Sequence, residues 1–432
     1  MADNHNVNIY EFDSFKVENA ESNSDNLVGI YFKKEKLENG KEKLMPIISF
    51  PYGYKLPENN DNKNDRQNAV KEIFLLIQVL NRFKDKKEGD NEINTQDKDK
   101  IFPLFAYMDV LDYYFNNGYY KEREHEYKVD TKGKINWKRT IATQKVLSQN
   151  NNPIYTKFVV KKNQINENDI ITEIHKYCVA DGLFKIGFLF NIKYDLSQYH
   201  SNMSENTTFL TKAKMILNTK LHHTNNDKLK RLFKSMLLIL EKNDYLDNEF
   251  STSQFGTKSF NIVWEKMIDA VFGIPEKYYS KINYILFDGN KKEPNIMPDT
   301  IMKTNNYVFV IDAKYYKYGI TKNKNDLPEG ASVVKQIAYG EHVYNLEQKE
   351  VYNAFIMPFE GEENEKPYKN VGCVGVQWKG YDEPYKIIQL ILLDTKYLMK
   401  LVNDSNYDDE RIKLEDCFLK LPSYLQYQFK NV

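Results

Sequence analysis

Cysteine is scarce in this sequence, and long apolar runs are missing. Among its 432 residues only Cys178, Cys373 and Cys417 are cysteines, far apart and odd in number. This pattern argues against a disulfide framework or a zinc cluster and indicates reduced thiols. No apolar stretch reaches membrane-spanning length, and the first residues lack the basic start and apolar run of a signal peptide. The sequence therefore predicts a soluble, cytoplasmic protein without a membrane partner.

An excess of charge of one sign is also missing. Lys plus Arg and Asp plus Glu both total 61. A nucleic-acid-binding surface would therefore have to be a local basic patch, with the acidic residues carried elsewhere. The sequence contains no Gly-rich loop of the P-loop type, so any nucleotide hydrolysis must come from another polypeptide.

Acidic side chains and a lysine lie within strand-forming sequence at residues 294–316. The two asparagines at 305–306 favour a two-residue hairpin turn, because Asn tolerates the left-handed conformation that such turns require. Both flanks are rich in apolar and β-branched residues, which predicts two strands. Counting back from the turn places Asp299 directly opposite Asp312. Directly paired residues share one face of a sheet, so the two carboxylates are expected together.

The next candidate is Lys314, which returns to the face of Asp312 through the period of two in a strand. Phe309, Ile311 and Ala313 are expected on the opposite, core-facing side. Two close carboxylates repel each other and are tolerated best with a cation between them. Oxygen ligands suit Mg²⁺, which takes one or two carboxylates plus phosphate oxygens. The inferred chemistry is hydrolysis of a phosphodiester.

These residues resemble a known motif. Pro298-Asp299, a spacer and then Asp312-Ala313-Lys314 is similar to the PD-(D/E)xK nuclease motif, and the surroundings resemble LlaJI-type restriction endonucleases and the related McrC nuclease subunits. GKINWKRTI at 133–141 and DIITEIHKY at 169–177 extend the resemblance into the first half of the chain. The alternative for the short motif is an exposed hairpin with a surface Asp–Lys pair.

A predicted helix at 260–272 has an apolar stripe with Glu265 at its edge, from where the glutamate can reach the sheet. The resemblance implies that Glu265 joins the metal site. The alternative is a surface glutamate that pairs with Lys266. Without the neighbouring hairpin, the two interpretations would be about equally supported.

A further helix is predicted from about Ser332, which is a favourable N-cap residue. On this helix Lys335, Gln336 and Tyr339 resemble polar residues that family members carry near the cut strand. Gln336 is a candidate for holding a phosphate or the attacking water. The alternative is a surface residue, and both interpretations stay open.

The segment 133–141 combines a glycine, an aromatic side chain and three basic residues. Lys134, Lys138 and Arg139 are candidates for contacts with a phosphate backbone, and Trp137 for stacking on a base. The alternative is a turn and strand in which the tryptophan fills a gap in the core.

The predicted fold class is α/β. Three apolar strands at 351–359, 371–378 and 385–393 follow the hairpin and need cover on both faces, which implies a mixed central sheet flanked by helices. The predicted domains are an α+β domain at 1–190, a helical connection at 191–248 and a PD-(D/E)xK nuclease domain at 249–432. The first domain is expected to recognise DNA or bind a partner.

The sequence thus predicts a Mg²⁺-dependent DNA endonuclease of a type II-like restriction–modification system, acting on double-stranded DNA. Asp299, Asp312 and Glu265 are expected to hold the metal, and Lys314 to orient or activate the attacking water. Two versions compete. In one, the chain recognises DNA and cuts as a homodimer. In the other, which the resemblance to McrC implies, it cuts only with a separate AAA+ GTPase partner. A third alternative is a non-catalytic DNA-binding or assembly subunit.

Overall fold

The structure is a computed structural model, and the chain divides into two compact units that interleave along the sequence. The first comprises 1–14, 34–45 and 99–253, and the second comprises 15–33, 46–98 and 254–432. The predicted domain boundaries at 190 and 248 stay a prediction. The structure describes residues 15–22, 26–36, 42–58, 63–83, 102–149, 152–166, 169–190, 192, 207–246, 254–276, 278, 280–281, 284–285, 287, 291–292, 295–347, 349–362, 365–380, 382–403 and 407–419.

The described strands are β1 Lys16–Asn19, β2 Val28–Lys36, β3 Glu42–Phe50, β4 Glu122–Val129, β5 Lys134–Ile135, β6 Val146–Gln149, β7 Asn152–Tyr155, β8 Val159–Asn166, β9 Gln254–Thr257, β10 Ser280–Lys281, β11 Tyr284–Ile285, β12 Lys291–Lys292, β13 Asn295–Ile296, β14 Thr300–Lys303, β15 Tyr307–Ala313, β16 Glu350–Phe359, β17 Tyr368–Gly375 and β18 Ile387–Asp394. The described helices are α1 Lys63–Phe83, α2 Leu104–Asn117, α3 Trp137–Thr143, α4 Ile170–Ile186, α5 Thr207–His223, α6 Asp227–Leu246, α7 Phe260–Phe272, α8 Tyr318–Thr321, α9 Gly330–Glu347, α10 Thr395–Leu401 and α11 Asp408–Leu419. None of these helices is long and apolar enough to cross a membrane.

The first unit combines helices with a small antiparallel sheet. α2 packs against α4 and α6, and Asp169 caps α4 because its carboxylate accepts a hydrogen bond from the backbone nitrogen of Ile171. β4, β8 and β5 form one sheet, and β6 and β7 form a separate hairpin. His175 is fully buried and accepts a hydrogen bond of 2.9 Å from the backbone nitrogen of Tyr120. A buried histidine held by a backbone hydrogen bond is a structural core residue.

The second unit contains a five-stranded mixed sheet in the order β14-β15-β16-β18-β17. β15, β16 and β18 run parallel, whereas β14 and β17 pair antiparallel to their neighbours. The expected mixed sheet flanked by helices is therefore confirmed. A second sheet, β1-β3-β2-β9, contains the β-rich start of the chain.

Helices cover both faces of the five-stranded sheet. On one face, Val333 and Ile337 of α9 pack on Phe355 and Met357 of β16. On the other face, the indole nitrogen of Trp264 in α7 donates to a backbone carbonyl of β16. Both helices use apolar stripes, as the period of their sequences predicts.

The face that carries Asp312 is part of the core. Val308 and Val310 share this face and are fully buried, as are Phe309 and Ile311 on the opposite face. Phe309 and Ile311 are buried as expected, and the even-numbered side is also core because α9 covers it. Asp312 itself is 2% exposed.

The predicted hairpin is confirmed. Thr300 pairs with Ile311 and Lys303 with Val308, an antiparallel register whose continuation places Asp299 opposite Asp312. The backbone nitrogen of Thr304 donates to the carbonyl of Tyr307 at 3.1 Å and closes the turn.

Two details differ from the sequence prediction or lie outside the described residues. α9 begins at Gly330, so Ser332 lies inside the first turn and is not its N-cap. The apolar segment 281–288, whose sequence also predicts a strand, is described only in part: Lys281 ends β10, Tyr284–Ile285 form β11 and Phe287 lies in a turn.

Candidate active site

Two carboxylates meet at the carboxyl end of β15. Asp299 directly precedes β14, and Asp312 is the last residue but one of β15. Oδ2 of Asp299 accepts a hydrogen bond of 3.0 Å from the backbone nitrogen of Ala313. This bond orients Asp299 toward the neighbouring strand, where its carboxyl group interacts with that of Asp312.

Lys314 supplies positive charge to this pair. Its Nζ lies 2.7 Å from Oδ2 of Asp312, and the lysine and aspartate side chains are only 15% and 3% exposed. The lysine Nζ also lies 5.8 Å from the centre of the Phe355 ring. A buried ion pair of this kind is held in one geometry because its surroundings leave little room for other rotamers.

Glu265 is brought to the same place by α7. The helix is fixed by Trp264, whose Nε1 donates to the carbonyl of Ile356 at 3.3 Å, and that same carbonyl accepts from the backbone nitrogen of Lys314 at 2.9 Å. Tyr315 contributes a further contact, with its ring centre 5.3 Å from that of Phe260. Glu265 is half-buried and acts electrostatically on Asp299.

The electrostatics of the site follow from this crowding. Burial, followed by hydrogen bonding to and repulsion from Asp312 and then by Glu265, raises the pKa of Asp299 to about 9. Asp312 and Glu265 therefore both disfavour the charged form of Asp299, while the positive charge of Lys314 is paired with Asp312.

A hard divalent cation fits this donor set. In the described part of the chain, no three His, Cys, Asp or Glu side chains form a ready-made metal-ligand group. Mg²⁺ does not need one, since it is usually held by one or two carboxylates, several waters and the phosphate oxygens of a substrate. Asp299 and Asp312 provide two such carboxylates on one face of the sheet, and neutralising their charge would relieve the raised pKa of Asp299.

Lys335 on α9 lies close enough to interact with the carboxylate pair. Burial lowers its pKa, but Tyr339, Asp312 and Asp299 outweigh this effect, and the net pKa is raised. Its Nζ lies 5.2 Å from the centre of the Tyr339 ring, and the lysine side chain is exposed. In the sequence analysis Lys335 was selected only through the family resemblance. Its position one helical turn before the buried Tyr339 is a sequence signal that could have identified it as a candidate site residue.

Gln336 has a different environment from the one predicted for it. The side chain is 1% exposed, and Nε2 donates to the carbonyl of Val310 at 2.9 Å and to Oδ1 of Asn353 at 3.3 Å. It is therefore a buried residue, and the interpretation of Gln336 as a surface residue is wrong. Its proposed contact with a phosphate or water stays a prediction.

The predicted DNA-binding residues lie in the first unit. Lys134 is in β5, while Trp137, Lys138 and Arg139 open α3, which Asn136 caps by accepting a hydrogen bond from the backbone nitrogen of Arg139. Trp137 is 53% exposed, so it does not fill a gap in the core. Residues 134–143 form a short strand followed by a helix, which differs from the turn and strand of the alternative interpretation.

Comparison with known proteins places the chain among restriction enzymes. The family model of the LlaJI restriction endonuclease matches residues 47–380. The chain therefore belongs to the LlaJI restriction endonuclease family. It is also 24% identical over 372 residues to the type II restriction enzyme BsuMI component YdjA of Bacillus subtilis strain 168, a match that covers 80% of this chain and 78% of the relative.

The chain is also similar, at a low level, to a solved structure. It is a half-complex from a tetradecameric assembly of Thermococcus gammatolerans McrB AAA+ hexamers with bound McrC. The match covers 90% of this chain and 82% of that chain, with 12% identity and a TM-score of 0.32. A TM-score at this level carries no conclusion about fold or activity.

Proposed function

We propose that this chain is a Mg²⁺-dependent endonuclease that hydrolyses phosphodiester bonds of double-stranded DNA in a restriction–modification system. The observation that carries the proposal is the cluster of Asp299, Asp312 and Lys314 at the end of one hairpin, with Asp299 held 3.0 Å from the backbone of Ala313 and Lys314 held 2.7 Å from Asp312. In this proposal β14, β15 and α7 form the centre of a PD-(D/E)xK nuclease core.

Asp299, Asp312 and Glu265 would hold one or two Mg²⁺ ions. When bound, the metal supplies charge neutralisation at the scissile phosphate and a more acidic water. Lys314 donates from a fixed position beside Asp312, where it orients the attacking water and stabilises negative charge that develops on the phosphate. Lys335, on the exposed side of α9, contacts a phosphate oxygen next to the cut bond.

The first unit offers a basic surface for the DNA backbone. Residues 128–161 include eight Lys or Arg and one acidic residue, Asp130, in a chain whose net charge is zero. Lys134 pairs directly with Lys161 across β5 and β8, an arrangement of like charges that is destabilising unless an anion lies nearby. Exposed Trp137 stands at the start of the adjoining helix. We propose that this surface holds DNA through its phosphates.

A second candidate is a nuclease subunit that cuts only with a separate AAA+ GTPase. The curated relative is named a component of a restriction enzyme, and the sequence resembles McrC nuclease subunits. The sequence also lacks a P-loop, so a nucleotide-driven version of the reaction requires another polypeptide. In both versions the cut is made by the same carboxylates and the enzyme works in the cytoplasm.

One experiment separates these versions. The purified chain is incubated with Mg²⁺ and plasmid DNA, and the products are resolved on a gel. Discrete fragments that disappear with EDTA support an autonomous enzyme acting as a homodimer. Cleavage that begins only after a candidate AAA+ GTPase partner and GTP are added supports the partner-dependent version.

The third alternative, a non-catalytic DNA-binding or assembly subunit, predicts a different result. In that case DNA is retained in a mobility-shift assay but remains intact with every divalent cation and with the NTPase present. That outcome would overturn the proposed endonuclease.

A further inference from the structure

A pair of buried amides joins α9 to the sheet. Gln336 and Asn353 are 1% and 0% exposed. Nε2 of Gln336 donates to Oδ1 of Asn353 at 3.3 Å, and Nδ2 of Asn353 donates to the backbone carbonyl of Gln336 at 3.1 Å. The same Nδ2 also donates to the carbonyl of Tyr385 at 2.6 Å. Asn353 therefore connects β16, α9 and the segment that leads into β18.

Gly340 brings the helix close to this asparagine. A Cβ atom at residue 340 would lie 2.3 Å from Nδ2 of Asn353, which is closer than side chains approach. Gly340 is one turn after Gln336, so both residues lie on the same face of α9. The helix is thus fixed against β16 at two successive turns by one amide side chain.

The amide pair also reaches the strand that carries the carboxylates. Nε2 of Gln336 donates to the carbonyl of Val310 at 2.9 Å, two residues before Asp312. Val310 lies beside Asn353 in the parallel pairing of β15 and β16. The position of α9 along β15 is therefore set by a directional hydrogen bond, in addition to apolar packing.

Lys335 is the neighbour of Gln336 on this helix. Apolar packing alone lets a helix slide or rotate by small amounts, whereas the hydrogen bonds that the amide nitrogens of Gln336 and Asn353 donate require one arrangement of donor and acceptor. Displacement of α9 would carry Lys335 away from Asp299 and Asp312, with which it interacts electrostatically.

We propose that Asn353 and Gln336 are positioning residues of the nuclease site, which hold Lys335 over the carboxylate pair. This inference rests on the proposed function for its catalytic consequence. It assigns Gln336 a role inside the core and adds Asn353 and Gly340, which the sequence-based prediction did not select.

The test is a double-mutant cycle between Asn353→Ala and Lys335→Ala. Single-turnover cleavage rates, KM and melting temperature are measured for both single variants and the double variant, under the conditions in which the wild-type chain cuts DNA. In the wild-type background we expect Asn353→Ala to lower the rate about tenfold. In the Lys335→Ala background we expect the same substitution to lower the rate less than about twofold, because the effects of coupled residues on the rate are not additive. The inference would be overturned if the double variant lost as much rate as the product of the two single losses. It would also be overturned if Asn353→Ala lowered the melting temperature but left the cleavage rate unchanged.

Two further variants test whether a loss of rate could come from misfolding or from general disruption of the sheet. Gln336→Met keeps the side-chain volume but removes the hydrogen bonds to Val310 and Asn353, and we expect the same coupling to Lys335. Asn370→Ala is the matched control, because Asn370 bonds to Gln389 at 2.7 Å in the same sheet. We expect it to cut at the wild-type rate, and an equal loss of rate in this control would count against a specific positioning role.

A spectroscopic measurement separates this inference from the proposed function. After reductive ¹³C-methylation of the lysines, the Lys335 signal, assigned by its loss in Lys335→Arg, should shift in Asn353→Ala. The signal of Lys396, which pairs with Glu72 of α1 and not with α9, should not shift. If the signal shifts but the wild-type chain never cuts DNA, the geometric inference holds and the proposed nuclease function fails. If the chain cuts DNA and the signal stays in place, the positioning role is wrong.

Discussion

The backbone nitrogen of Ala313 donates a hydrogen bond of 3.0 Å to the carboxylate of Asp299. The bond joins the two halves of the motif, which are separated by the whole hairpin. It orients Asp299 beside Asp312 through the fold itself, so the carboxylate pair is arranged before a substrate arrives. Preorganised charges of this kind need no rearrangement during a reaction.

Replacing Asp299 by Asn is expected to stop cleavage without disturbing the hairpin. An amide oxygen can still accept the hydrogen bond from Ala313, but an amide cannot ionise and so cannot supply the carboxylate that would bind the metal. We expect the single-turnover rate to fall at least about 100-fold, which is typical when one preorganised electrostatic group is removed. Circular dichroism should remain unchanged. Asp408→Asn, on an aspartate whose side chain is 82% exposed, is the control and should cut normally. Normal cleavage by Asp299→Asn would exclude the proposed role.

The raised pKa of Asp299 predicts how stability depends on pH. In the folded chain this carboxyl has a pKa of about 9, whereas in an unfolded chain an aspartate has one of about 3.9. The folded state therefore binds more protons between these values, and its stability falls as pH rises through that window. We expect the melting temperature in EDTA to fall more steeply from pH 5 to 9 for the wild type than for Asp299→Asn.

The same protonation should couple to metal binding. A carboxyl group must lose its proton to bind a cation, so Mg²⁺ affinity should increase with pH across this range. Calorimetry in buffers of different ionisation enthalpy should detect proton release from the wild type. Equal proton release from Asp299→Asn would assign the effect to another group.

Lys314→Met should destabilise the metal-free protein and make it more responsive to Mg²⁺. The substitution leaves the carboxylate of Asp312 buried without its cation, and breaking a buried pair in this way costs about 3–5 kcal/mol. Mg²⁺ can replace the missing positive charge, so it should raise the melting temperature of this variant more than that of the wild type. Cleavage should be lost. Lys369→Met, at a more exposed pair with Glu365, is the matched control and should lose less than about 1 kcal/mol. A Lys314→Met protein as stable as the control would contradict the expected result.

The basic surface of the first unit predicts a change in salt dependence. Lys134→Ala combined with Lys138→Ala should weaken DNA binding for all sequences and reduce the slope of log affinity against log salt by about two. Binding is measured by fluorescence anisotropy at several salt concentrations with Ca²⁺ in place of Mg²⁺. Lys228→Ala, an exposed lysine in the same unit, serves as the control. If the slope of log affinity against log salt were unchanged in the double variant, this surface would bind a partner other than DNA.

The hairpin and its register could be predicted from the sequence because their determinants are local. Two asparagines define the turn, and a strand period of two then determines which residues share a face. Glu265 could be proposed from the apolar stripe of its own helix. Its approach to Asp299, however, depends on the hydrogen bond from Trp264 to Ile356, which connects residues far apart in the chain.

The burial of Gln336 could not be read from its helix alone. Its environment depends on Asn353, which lies in a different strand and meets α9 only in the folded protein. A polar residue in the middle of an apolar strand was the available signal. The core on the Asp312 face was missed for a similar reason, since periodicity shows which residues share a face but not whether a helix covers it.

The turn at Asn305 and Asn306 is exposed and lies at the opposite end of β15 from Asp312. Asp312 lies five positions after Tyr307 along the strand, which corresponds to roughly 17 Å. A fluorophore attached at the turn would therefore share a rigid strand with the carboxylates without touching them. The hairpin offers a labelling position from which DNA arrival could be followed in real time while the cutting centre stays intact.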